Sequence, residues 1–349
     1  MHICPINYRL KPLIGVPYSF FLSYTRVNAM WIYLIITVLL LVAELIYFKI
    51  ADQLKLVVRP EQKNFQQRTT WRGGGVIFYM AALIYCICYG FPYPWFFAGL
   101  TVAAITGFAN DMHPLKEWKR KLLISCGLLL MFMELGLFTD YPLWYIIPAL
   151  VVCVAVINSY RNMNKINGIT GAYSFVVIII LAYLNQKFTP FTDQRFLYII
   201  LLSIIIFSFF NFRYKAVSFS GMVGSASIGL IVLFLVGKLI LATQDISHLV
   251  LLRVYGMDTL LSAIHGLIRH REKGCPHFQY VYQIIVYKLN FPQIFVSAIY
   301  AAAQAIIFAG YELFYPYRWW YLGIVILLLT VAYITFIRKH CNLIHHTHK

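Results

Sequence analysis

Acid is what this chain has least of. Its 349 residues include 12 Asp and Glu against 29 Lys and Arg, and charged residues of both signs make up 12%. Hydrophobic residues reach 61%, and the mean hydropathy is +0.73. A soluble protein of this composition would expose more apolar area than its surface tolerates, so a soluble globular fold is excluded and the solvent is lipid. No repeat relates the two halves, and the apolar runs carry few charges beyond Glu44, Glu134, Arg253 and Asp258. Both absences weigh against a transporter or flippase. Seven cysteines make no framework: Cys86, Cys88, Cys126 and Cys153 lie inside apolar segments, and Cys4, Cys275 and Cys341 share no metal-ligand spacing. No basic soluble domain is present to hold a nucleic acid, so the net charge of +17 is read as an orientation signal and as a surface suited to anionic lipid or phosphate.

What is abundant is apolar sequence in membrane-sized runs. A bilayer core takes roughly 20 apolar residues per helix. The expected spans are 30–49, 75–91, 93–109, 121–138, 143–159, 170–185, 196–211, 221–237, 248–267, 293–311 and 319–337. Runs of this length and continuity exclude barrel strands, and backbone facing lipid must satisfy its own hydrogen bonds, so the expected fold is an all-α polytopic bundle of about eleven transmembrane helices. Lys and Arg concentrate in alternate loops, among them Arg72, Lys116, Lys119, Arg120, Arg161, Lys165, Arg213, Lys215 and Arg271, whereas the opposite loops offer Lys187, Arg195, Lys238 and Arg318. The positive-inside rule makes the richer side cytoplasmic, with the N-terminus outside and the C-terminus inside. Residues 1–29 read as an extracytoplasmic extension or as sequence upstream of a start at Met30, 30–337 as the transmembrane domain, and 338–349 as a cytoplasmic basic and histidine-rich tail with no fixed metal geometry.

The unusual polar clusters fall on that same basic side. Arg72-Gly73-Gly74-Gly75 runs into the second span, where glycine would let a phosphate approach backbone N–H groups at the positive end of a helix, or would serve close helix packing. Asn110-Asp111 ends the third span, and Asp111 is a candidate base or metal ligand. Asn158, Arg161, Asn162, Asn164, Lys165, Asn167, Gly168 and Gly171 fill the connection after the fifth span, a composition that lines water or satisfies itself, not one that faces lipid. Asn211, Ser220-Gly221-Met222-Val223-Gly224-Ser225, Asp258 and a late loop with His277 complete the set.

In order and spacing these clusters resemble the polyprenyl-phosphate N-acetylhexosamine-1-phosphate transferases, glycosyltransferase family 4, relatives of phospho-N-acetylmuramoyl-pentapeptide transferase. The resemblance covers about residues 30–337 and is nearest to the bacterial branch that uses UDP-N-acetylglucosamine and undecaprenyl phosphate. Arg72 to Gly75 stands intact, and Asn158, Tyr160, Met163 and Ile166 to Gly171 match the family's asparagine-rich loop. The resemblance implies transfer of a sugar-1-phosphate from a UDP-sugar to a polyprenyl phosphate with release of UMP. It further implies Mg²⁺, a site on the cytoplasmic face of a bacterial inner membrane, and compatibility with a homodimer. It gives Asp111, Asn110 and Asn164 as catalytic positions, and Arg72 with Gly73, Gly74 and Gly75 for phosphate. Asn158, Asn164 and Asn167 would serve nucleotide or sugar with Asn211 nearby, His277 would serve pyrophosphate, and Asp258 is a substrate-binding candidate or a structural helix contact.

The departures bear on chemistry. Where the family has acids, this chain has Asn110, Asn164 and Met222, and Met222 takes the place of a Mg²⁺ ligand, leaving Asp111 as the candidate for metal. A thioether does not bind a hard cation that requires oxygen. Arg161 and Lys165 add positive charge where the family has none. The expectations are therefore a transferase with a rearranged site or, as the alternative, a non-catalytic relative that binds lipid phosphate or nucleotide sugar as a scaffold.

Overall fold

The computed structural model describes residues 18–58, 70–269 and 280–341. His277 and the tail histidines beyond 341 lie outside them. The helices are α1 (Tyr18–Gln53), α2 (Val76–Tyr89), α3 (Pro94–Met112), α4 (Glu117–Glu134), α5 (Leu137–Asp140), α6 (Ile146–Met163), α7 (Ile169–Lys187), α8 (Gln194–Asn211), α9 (Gly221–Thr243), α10 (Arg253–Arg269), α11 (Val281–Tyr287), α12 (Gln293–Leu313) and α13 (Arg318–Cys341). Each expected span falls on helix, although 121–138 runs from α4 into α5, 143–159 begins in a 3₁₀ turn, Leu143–Tyr145, before α6, and 248–267 is divided between a 3₁₀ turn, Ile246–Leu252, and α10. Among the described residues, seven helical stretches are long and apolar enough to cross a bilayer: Met30–Gln53, Leu143–Met163, Ile169–Lys187, Gln194–Asn211, Gly221–Thr243, Gln293–Leu313 and Tyr315–Lys339. The chain is an all-α membrane protein.

α9 is apolar all round because it is buried all round: every residue from Gly221 to Val236 is shielded, and α2, α3, α6 and α7 pack against it. Small residues set the close crossings. A Cβ on Gly99 would strike the carbonyl of Gly127 on α4, and one on Gly107 would strike the backbone of Val223 on α9. Polar groups inside the bundle serve helix ends. Glu134 Oε2 accepts the Trp95 N–H (2.8 Å) and the Phe96 N–H (3.3 Å), capping the start of α3 with a carboxylate where the helix dipole favours one. Glu44 is buried against Gly74, and its oxygens have no hydrogen-bond partner among the described residues.

A three-stranded sheet, not foreseen from the helical periodicity, sits at one end of the bundle. β1 (Val57–Val58) runs antiparallel to β2 (Thr70–Arg72), which runs parallel to β3 (Ser218–Phe219), with Trp71 opposite Ser218 and Arg72 opposite Phe219. Small as it is, the sheet ties the segment before α2 to the segment before α9. It thereby sets Arg72 beside the first turn of α9.

Candidate functional site

The ends of α3 and α6 and the segments after them meet the starts of α4, α9 and α12 around a cavity of about 700 Å³. Arg72, Asn110, Arg120, Arg161, Asn164, Lys165 and Met222 are on its wall. Gln283 and Tyr287 of α11 and Gln293 of α12 close it from the C-terminal half of the chain. Of these last three, Tyr287 and Gln293 belong to no polar cluster in the sequence. The polar signal available for Gln293 is its place directly after Pro292, where a helix begins.

The glycine run does not form the phosphate cradle expected of it. The N–H groups of Gly73 and Gly74 both donate to the Phe219 carbonyl (3.0 and 2.9 Å), and that of Gly75 donates to the Ser220 carbonyl (3.2 Å). With its donors used in this way, the run serves close approach. Gly73 has φ +91° and Gly221 has φ +67°, and a side chain on Gly75 would collide with the backbone of Gly224. Two helix starts, those of α2 and α9, are thus held back to back. Tyr47 donates its hydroxyl to the Arg72 carbonyl (2.8 Å) and fixes the strand from the α1 side.

Asp111 is placed by the same construction. Its Oδ2 accepts the N–H of Met222 (2.7 Å) and of Val223 (3.0 Å), the exposed donors of the α9 N-terminus, and its Oδ1 lies 2.8 Å from Arg72 Nε. The carboxylate is fully buried. Two backbone donors hold Oδ2 and the Arg72 ion pair faces Oδ1, so the side chain braces the junction of α3, α9 and β2.

The asparagines too are tied to backbone, although Asn167 Oδ1 is buried without a partner among the described residues. Asn110 Oδ1 accepts the Leu115 N–H (3.3 Å). Asn164 donates from Nδ2 to the Gly221 carbonyl (3.2 Å) and accepts at Oδ1 from the Thr170 hydroxyl (3.3 Å). Asn167 donates from Nδ2 to the carbonyls of Arg213 (3.2 Å) and Tyr214 (3.3 Å), and its N–H donates to Gln293 Oε1 (2.8 Å). Asn211 accepts the Gly168 N–H (2.8 Å) and donates to the Ser218 carbonyl (2.7 Å). Asn158 is half-buried on α6, one turn before Asn162, and is not on the wall. Asp258 is not on it either. It accepts from the hydroxyls of Tyr300 (2.8 Å) and Ser262 (3.4 Å) and from the Val281 N–H (3.4 Å), which makes it a pin between α10, α11 and α12 in place of the substrate contact expected.

What faces the cavity is cationic. Arg120 is buried, with its one acidic neighbour, Glu117, at 3.7 Å. Glu117 is better placed for Lys121 (3.1 Å), which holds its carboxyl below the usual range. Arg161 Nε has no partner among the described residues, and Arg161 lies within the repulsive field of Arg120. Lys165 has its ammonium 5.5 Å from the centre of the Tyr280 ring. The surrounding protein, and secondarily Arg161, push the Lys165 pKa below the ordinary lysine value, while burial pushes the Tyr280 phenol up. A depressed lysine is charged below its folded pKa and neutral above it. Affinity for a phosphoanion therefore falls, as pH rises, earlier than an ordinary lysine would dictate. Comparing pyrophosphate affinity across alkaline pH for the unmodified chain and Lys165→Met checks this, since the variant lacks that limb of the profile.

The donor set does not fit Mg²⁺. The ion requires near-octahedral oxygen coordination, and this wall carries no carboxylate among its described residues, presents the Met222 thioether, and has two of its asparagine carbonyls, those of Asn110 and Asn164, already accepting. Among the described residues no three His, Cys, Asp or Glu side chains come together as a metal cluster. No curated protein matches the chain. Residues 93–240, from α3 to within α9, match the sequence profile of glycosyl transferase family 4, and the match supports membership of that family.

Proposed function

We propose that the cavity recognises the phosphate groups of a nucleotide sugar and of a polyprenyl phosphate, and that this chain holds these substrates without joining them. Glycosyl transferase family 4 suggests sugar-phosphate transfer to a polyprenyl phosphate, with sugar-nucleotide and lipid-phosphate ligands at a membrane. The finer reading takes UDP-N-acetylglucosamine and undecaprenyl phosphate as the ligands and the cytoplasmic face of a bacterial membrane as the place. One observation carries the proposal: Arg72, Arg120, Arg161 and Lys165 converge on a cavity whose nearest carboxylate, Asp111, is already committed. Such a wall attracts and orients phosphates by charge-assisted hydrogen bonds and carries no carboxylate among its described residues to take a proton. About 700 Å³ lies within the range of small-ligand sites, roughly 300–1,000 Å³.

The test is to incubate the full chain, purified in detergent, with UDP-N-acetylglucosamine and undecaprenyl phosphate, measuring UMP release and nucleotide-sugar binding side by side. Saturable binding with no UMP above background is the expected result. UMP release would overturn the holding role, and absence of binding would overturn recognition itself.

A further inference from the structure

We infer that the cavity binds its phosphoanion without a divalent cation, the Arg120, Arg161 and Lys165 side chains standing where a metal ion would otherwise neutralise the phosphates. The inference rests on the phosphate-recognition reading above and says how that recognition is achieved. A pyrophosphate group needs positive charge and hydrogen-bond donors on several sides at once. A metal site supplies the charge through an ion that carboxylates hold in place, and this wall supplies it directly.

Two features of the wall bear on the choice. Arg120 and Arg161 each keep Nε buried without a hydrogen-bond partner among the described residues, and the side chain of Arg120 is 10% exposed. Buried guanidinium donors are costly to leave unpaired, and a phosphate oxygen is the acceptor that suits their planar fork. Meanwhile Arg161 stands between the like charges of Arg120 and Lys165 on the same wall, a cost that an incoming polyanion removes. A hydrated Mg²⁺ ion entering the same space would add to that repulsion and would meet the thioether of Met222. Mg²⁺ already bound to the ligand would cancel part of the negative charge the wall is built to attract.

The experiment is calorimetric titration of the detergent-purified full chain with sodium pyrophosphate, once with EDTA and once with excess Mg²⁺, repeated for Met222→Asp. For the unmodified chain, affinity in EDTA is expected to equal or exceed that in Mg²⁺. Met222→Asp, which sets a carboxylate against the ligand, is expected to bind at least about tenfold more weakly in EDTA and to recover on addition of Mg²⁺. Binding by the unmodified chain that requires Mg²⁺ would overturn the metal-free inference and leave phosphate recognition standing. No pyrophosphate binding in either condition would overturn both.

Discussion

Arg161→Glu is expected to lower pyrophosphate affinity by on the order of 100-fold, about 3 kcal/mol, while making the empty protein more stable. The two effects have opposite signs for one reason. Arg161 lies at the end of α6, facing Arg120 at the start of α4 and Lys165 in the following turn, and the carboxylate near them among the described residues, Glu117, is 3.7 Å from Arg120 and closer to Lys121. In the empty cavity this is a like-charge cluster, and a glutamate at 161 converts it to a paired one, with a gain of up to about 1 kcal/mol. With ligand present the same glutamate faces phosphate oxygens across a poorly hydrated space, where like charges cost several-fold more than at a surface. Titration calorimetry and thermal denaturation of the same preparations check both signs. A residue that merely packed would lose stability and affinity together, and a solvated surface arginine would change neither.

The sequence carries the membrane class and the address of the site, because both follow from local composition. Apolar runs place the helices, and the basic loops place the polar clusters at shared helix ends. What it does not carry is who satisfies whom. Arg72-Gly73-Gly74-Gly75 reads equally as an anion cradle or as a close-packing device until β2 is seen beside β3, a pairing between residues as distant as Trp71 and Ser218 that no local signal announces and that favours packing. Asp258 reads as a site acid until Tyr300 and Val281 are found on it. The helix limits slip for physical reasons as well: α1 extends back to Tyr18, well before the expected start at 30, because helix propensity does not stop where hydropathy falls. Met222, Arg161 and Lys165 were the better guides, since the loss of a ligand and the gain of charge are properties of the residues themselves.

Asp111→Ala is expected to destabilise the protein by about 3 kcal/mol, chiefly through the two helix-start N–H groups it leaves unpaired, since Arg72, 43% exposed, is solvated once released, and to be the most damaging single substitution at the cavity. The side chain joins three elements at once. Its removal leaves the Met222 and Val223 N–H groups of the α9 start without an acceptor and releases Arg72 from 2.8 Å contact, while the close Gly75 and Gly224 backbones prevent the gap from collapsing. Asp111→Asn separates the structural role from a catalytic one. The amide oxygen still accepts at the helix N-terminus, but the amide NH₂ turned towards Arg72 repels it, so about 1–3 kcal/mol of stability is lost. The guanidinium then swings free into a cavity that has also lost its nearest negative charge, and pyrophosphate affinity rises by a few-fold on removal of that competing anion. Thermal unfolding in detergent and titration with pyrophosphate together decide the matter. A brace gives lower stability with tighter anion binding, whereas a catalytic base would leave stability and affinity near their starting values and abolish product release alone.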